Sequence, residues 1–262
     1  MKGLVLLLAV FFLLFGLPVV VLLLNAFSSS WAFPEVIPAV FDTRGISYLV
    51  AHSGDIGLSL LSSCGYSLGT VGLTFVMTIL PAKRFAGPAF AGKHFLEGLF
   101  LAPALIPPMA FAMGAHLIFL RLGMSDTVVG VIVILSVISY PYMLRSLTAG
   151  YQVYGPNYAL CAKNLGASPL SIFFKVELPL LLPALLAGAT IVFLVAFSEY
   201  FLVFLIGGGT VASYSGYIFP LLNSSDKSVA SLLTLVFLLL PISLFFIIDR
   251  LVYTAYRRRG MV

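Results

Sequence analysis

Charge is what this sequence has least of. Asp, Glu, Lys and Arg together supply 9% of its 262 residues against 61% hydrophobic ones, and the mean hydropathy is +1.14. So little polar surface cannot solvate a water-soluble domain that carries 23 phenylalanines, so the composition excludes one and places the chain in a membrane. Cysteine is scarcer still. Cys64 falls in an apolar run and Cys161 in a polar segment, which excludes a secreted disulfide framework. His52, His94 and His116 lie in separate segments, so spacing assembles no metal cluster. No G-x-x-x-x-G-K-[ST] phosphate loop occurs, so the chain cannot cradle ATP itself. Paired intramembrane carboxylates and an internal inverted repeat are also missing, which leaves a proton-coupled carrier without support.

What the chain does have is long apolar runs. A bilayer crossing needs about 20 residues. Runs of that kind can be drawn at 4–26, 56–80, 95–120, 127–149, 178–206 and 229–250, which predicts an all-α polytopic membrane protein of six spans in a single domain, 1–262. The first run is too long for a signal-peptide core and reads as a retained span kinked at Pro18. With the spans drawn, Lys2, Lys83, Arg84, Lys93, Arg145, Lys163, Lys175, Arg250, Arg257, Arg258 and Arg259 share one side, and only Arg44, Arg121 and Lys227 face the other. The asymmetry places both termini in the cytoplasm. The net charge of +5 then reflects topology and attraction to anionic lipid, not a nucleic-acid partner.

One cytoplasmic segment, 150–178, is too long to be a mere connection. Gly155-Pro156 ends one helix and starts another, whose Tyr158, Cys161, Ala162 and Leu165 share a face. Gly166 falls where a helix end takes a left-handed residue, and Ser168-Pro169 reads as an N-cap followed by a first-turn proline. In the next short helix Leu170, Phe173, Phe174 and Leu178 share a face, Ser171, Lys175 and Glu177 are set apart from it, and Pro179 closes the segment. The pattern predicts a helix-turn-helix at the membrane surface with its corner pointing away from the bilayer. A surface hairpin that only anchors the following span is the plainer alternative.

These residues resemble the membrane-spanning permease subunits of bacterial binding-protein-dependent ABC importers. The cytoplasmic signature of that family reads Glu-Ala-Ala, three residues, Gly, nine residues, then Ile-x-Leu-Pro. Leu160-Cys161-Ala162, Gly166 and Val176-Glu177-Leu178-Pro179 match the spacing without a gap, with Leu160 in place of the glutamate and Cys161 in place of the central alanine. Tyr140-Pro141-Tyr142 and the stretches FLVAFSEYFLVFLIGGG and FPLLNSSDK are similar to the subgroup that carries polyamines, ferric iron, thiamine or small oxyanions. The resemblance implies a bacterial inner-membrane importer subunit with no catalytic residue and no bound cofactor of its own. ATP and Mg belong to a separate cytoplasmic ATPase, and the other partners are a second permease, like or unlike, and a periplasmic or extracellular substrate-binding protein. Leu160, Cys161, Ala162, Gly166, Ala167, Ser168, Pro169, Leu170 and Phe173 would form the ATPase-coupling corner.

Two further patterns carry chemistry. Gly65-Tyr66-Ser67-Leu68-Gly69 matches G-x-S-x-G, which with His116 suggests an intramembrane serine protease; the same residues also read as a Gly-x-x-x-Gly packing face, and their helical context favours packing. Glu199 is the one acidic residue placed deep in a span, flanked by Ser198 and Tyr200. Together with Tyr140 these form the candidate substrate pathway, a cation-attracting wall, unless Glu199 serves an interhelical hydrogen bond. The loops 27–55 and 207–228 face away from the cytoplasm and offer Trp31, Tyr214 and Tyr217 as anchors for a binding protein.

Overall fold

The computed structural model of the protein describes residues 2–29, 31, 34–224 and 226–258. Arg259, one of the basic residues assigned to the cytoplasmic side, lies outside them. In chain order the helices are α1 (Lys2–Ala26), α2 (Arg44–Ala51), α3 (Ser53–Ala86), α4 (Lys93–Leu101), a 3-10 turn (Ala102–Leu105), α5 (Pro108–Arg121) and α6 (Val128–Tyr154). There follow α7 (Asn157–Asn164), α8 (Pro169–Ile172), a π-helical turn (Phe173–Glu177), α9 (Leu178–Ser198), α10 (Phe201–Gly207), α11 (Tyr214–Leu222) and α12 (Lys227–Arg258). Among the described residues no strand forms, only an isolated bridge between Ser28 and Phe41.

Four of the described helical stretches are long and apolar enough to cross a membrane: Ser53–Ala86, Val128–Tyr154, Pro169–Ser198 and Lys227–Ile247. The expected span 95–120 is not one straight helix. Lys93–Leu105 and Pro108–Arg121 meet at 97°, because Pro107 and Pro108 withhold the amide donors that would carry the helix through. The expected span 178–206 is also corrected at both ends. Its helix begins at Pro169, runs through Pro179, and stops at Ser198, with Glu199 in extended backbone before α10. In α1 the apolar stretch is the shorter Val10–Ala26.

The chain divides into two compact units, residues 1–60 with 214–262, and residues 61–213. In the first, α12 packs against α1, α2 and α11. A Cβ on Gly45 would lie 3.2 Å from Leu232 Cδ2 and 3.3 Å from Ala26 O, so any larger residue would press α2 against its neighbours. Beside it Ser228 Oγ donates to Ala26 O at 3.0 Å.

In the second unit the pair α6 and α9 forms the axis. A Cβ on Gly150 of α6 would come within 2.5 Å of Ala184 Cβ, and one on Gly188 of α9 within 2.9 Å of Met143 Sδ. Ser146 Oγ donates to Ala184 O at 2.6 Å across the same seam. Small residues and a hydroxyl bond hold the two backbones together where lipid offers no hydrophobic drive. Two apolar cores flank the seam, one around Tyr66, Ile134, Leu135 and Leu202, the other around Phe85, Tyr140, Met143 and Leu181.

Candidate functional site

The corner lies wholly in the second unit and is built from backbone outward. Gly155, at φ +68°, ends α6, and Pro156 leads into α7. At the far end of α7 the Gly166 N–H donates to Lys163 O at 3.0 Å and the Ala167 N–H to Ala162 O at 3.1 Å, with Gly166 at φ +81°. That pair of bonds is a Schellman cap. Two residues on, Ser168 Oγ accepts from the Ser171 N–H at 3.3 Å and Pro169 opens α8, as the sequence predicts.

The corner is apolar and uncovered. Leu165 is 88% exposed and Leu170 71%, and Leu160, Cys161, Ser168 and Pro169 are exposed with them, while Ala162, Ala167 and Phe173 are half-buried. The face expected on α7 is thus open, not packed. Behind the corner lies a cavity of 1180 Å³, walled by Ile79 and Leu80 of α3, Tyr154 of α6, Leu160, Leu170 and Phe173.

The inner end of this cavity holds a group that the sequence reading set aside. Glu177, placed there among the polar residues off the apolar face, is 2% exposed. Its Oε1 accepts from Lys83 Nζ at 2.5 Å and its Oε2 from the Tyr151 hydroxyl at 3.4 Å. Local periodicity could not supply this, because Lys83 stands 94 residues away on another helix. The available signal was compositional: Glu177 is the only acidic residue between Asp126 and Glu199.

The remaining candidates fall elsewhere in this unit. Glu199 is not deep in a helix but at the break between α9 and α10, where its Oε1 accepts from the Leu202 N–H at 3.3 Å and caps α10. Ser198 Oγ donates to Val195 O at 3.2 Å, and Tyr200 stacks on Phe204. Tyr140 is buried in α6 and stacks on Phe100 of α4 at 5.8 Å. Ser67 is buried in mid-helix on α3. Its Oγ and His116 Nδ1 each have no hydrogen-bond partner among the described residues, so the nucleophile and base of a protease are not paired. Packing is the better account of that motif at Gly69, where a Cβ would meet Ile132 Cδ1 at 2.7 Å, though Gly65 faces open space.

In the first unit, Arg44 Nη2 and Asp226 Oδ1 pair at 3.0 Å, and the Trp31 indole donates to Glu35 O at 2.9 Å. Tyr214 is corrected as an anchor: it is fully buried and its hydroxyl donates to Leu233 O at 2.9 Å. Tyr217 shares a 3.1 Å hydroxyl contact with Tyr48. Val36, Ile37, Val40 and Phe41 are among the exposed apolar residues of this region. No group of His, Cys, Asp and Glu among the described residues could hold a metal ion.

Comparison with known proteins identifies the family. The family model described as binding-protein-dependent transport system inner membrane component matches residues 75–259. The sulfate transport system permease protein CysT of Salmonella typhimurium is 29% identical over 177 residues, covering 62% of this chain and 64% of that protein. The spermidine/putrescine transport system permease protein PotC of Escherichia coli is 25% identical over 192 residues, 70% of this chain and 68% of that one. The molybdenum transport system permease protein ModB of Mycobacterium tuberculosis is 28% identical over 117 residues, 40% of this chain and 44% of that one. Across such relatives the chain spans from 44% to 73% of their own length. The fold is shared at TM-score 0.71 and 17% identity, over 95% of both chains, with a crystal structure of a bacterial ABC transporter involved in the import of the acidic polysaccharide alginate. With most of its length under the family model, the chain belongs to the inner membrane components of binding-protein-dependent transport systems, the permease subunits of ABC importers.

Proposed function

We propose that the chain forms half of a substrate pathway through the bacterial inner membrane, pairs with a second permease, and is driven by a separate ATPase that binds the ATP and Mg. In this reading α1 and the bent pair complete six spans, both termini are cytoplasmic, and a binding protein delivers substrate from the other side. The observation that carries the ATPase assignment is the corner itself: a Schellman cap and an N-cap back to back, with Leu165 and Leu170 bared at its tip. A rigid apolar prominence of this kind suits a helix-in-groove contact. A hairpin that only anchored α9 would set those leucines in lipid, a difference that docking measurements read directly.

The substrate is a small polar solute. Relatives named for sulfate, molybdenum, and spermidine or putrescine carry ligands of both charge signs, so its charge is a property of this chain's own pathway and binding protein. Glu199 is the residue that would favour a cation there.

The test is co-purification of the partner ATPase, with ATP hydrolysis measured on the assembled complex. Burying a leucine side chain contributes about 1.5–3 kcal/mol, so Leu165→Ala or Leu170→Ala weakens docking roughly tenfold or more, while His94→Ala, in a residue 99% exposed on α4, does not. Wild-type docking by both leucine variants returns the segment to a membrane-surface anchor.

A further inference from the structure

The corner is attached to the second unit at two places with little packing between them. It leaves α6 at Gly155 and rejoins the helical body at the π turn, and the 1180 Å³ cavity separates its inner face from α3. Across that gap van der Waals contact cannot fix the tilt of the corner. At the second attachment one side chain ties the joint to both helices. Glu177 closes the π turn, and its two carboxylate oxygens are shared between the end of α3, through Lys83, and the end of α6, through Tyr151.

The π turn has a local cause. Pro179 has no N–H for the Lys175 carbonyl and its ring crowds that carbonyl, so the helix opens and the Leu178 N–H reaches back to Phe173 O, i to i+5. Pro169, Phe173 and Glu177, four apart, then all face the cavity. A carboxylate 2% exposed with a single cationic partner is an all-or-none contact, since losing Lys83 strands a buried charge.

We propose that Glu177, Lys83 and Tyr151 form a latch that sets the angle of the corner against α3 and α6, and so transmits movement of a docked corner to both helices. Glu177 acts as a positioning residue, and its role in coupling rests on the ATPase reading above; its role in holding the corner does not.

The test uses the full chain with Cys64→Ser in lipid nanodiscs, spin-labelled at the native, exposed Cys161 of α7 and at Leu68→Cys on the exposed side of α3. The intact latch gives one narrow distance. Glu177→Gln and Lys83→Met each broaden it, and the exchanged pair Lys83→Glu with Glu177→Lys narrows it again. Glu177→Gln removes the buried charge along with the ion pair, so it folds even where Lys83→Met, which strands that charge, does not. In the assembled importer the same single variants retain the ATPase but lower ATP hydrolysis per docked ATPase about tenfold, within the usual range of coupling between sites. A distance as narrow as wild type in both single variants overturns the latch, whatever the leucine truncations show. A broadened distance alongside unaffected docking by those truncations upholds the latch and removes the ATPase reading.

Discussion

Gly166 shows how much of the site depends on single residues. Its position after a helix and before Ser168-Pro169 predicts the left-handed conformation that the structure shows, at φ +81°. A Cβ there would meet nothing within 4 Å, so the cost of Gly166→Ala is conformational alone, about 1–2 kcal/mol, and Gly166→Asn loses less. Thermal unfolding in detergent measures the difference, and Gly166→Val, β-branched, falls furthest. Glu177 is the opposite case, since nothing within a turn of it in sequence identifies its partner. Tyr151→Phe removes one long hydrogen bond to that carboxylate and lowers stability by about 1 kcal/mol, leaving the lysine pair in place. Glu199 caps α10, and Glu199→Gln keeps an accepting oxygen for the Leu202 N–H. Folding therefore persists in that variant, and a fall in uptake reports a charge requirement in the pathway.

At the scale of elements, helix type was legible and helix continuity was not. The apolar runs of α3, α6 and α12 are long enough that length and hydropathy alone place them in a membrane. Prolines decide the remainder, and they act in both directions. Pro107 and Pro108 break a run into two helices at 97°, whereas the helix from Pro169 to Ser198 absorbs Pro179 through a π turn and carries Pro183 within α9. The seam between α6 and α9 offers a sharp check. Gly188→Leu forces atoms into Met143 and Ser146 and destabilises by about 1–3 kcal/mol, while Gly72→Ala on α3, where a Cβ meets nothing within 4 Å, is neutral or stabilising by about 0.5–1 kcal/mol. Melting curves of the two variants in one detergent separate them. Comparable losses in both would mean that the seam is not tightly packed.

For the whole molecule, the charge asymmetry predicts which surfaces face which compartment. With Cys64→Ser, a membrane-impermeant maleimide labels native Cys161 in inside-out vesicles only, and labels Val36→Cys, at a position 86% exposed, in intact cells only. The reverse pattern would invert the topology. Ser67→Ala leaves substrate uptake unchanged, because the hydroxyl is buried without a base beside it. The same exposed position 36, outside the Arg44–Asp226 ion pair, suits a cysteine cross-link to a binding protein.

By itself the sequence determined the solvent, the helical class, the corner and the family. Each follows from properties summed along a contiguous stretch: hydropathy over about 20 residues, capping chemistry over four or five, and motif spacing over 20. Only the tertiary structure decided that Tyr214 is core and not surface, that Glu199 caps a broken helix, and that Lys83 meets Glu177 behind the corner. The first and last depend on which other helix supplies a carbonyl or a counter-ion, and the second on where α9 stops. A partner 94 residues distant leaves no periodic trace in the chain that needs it.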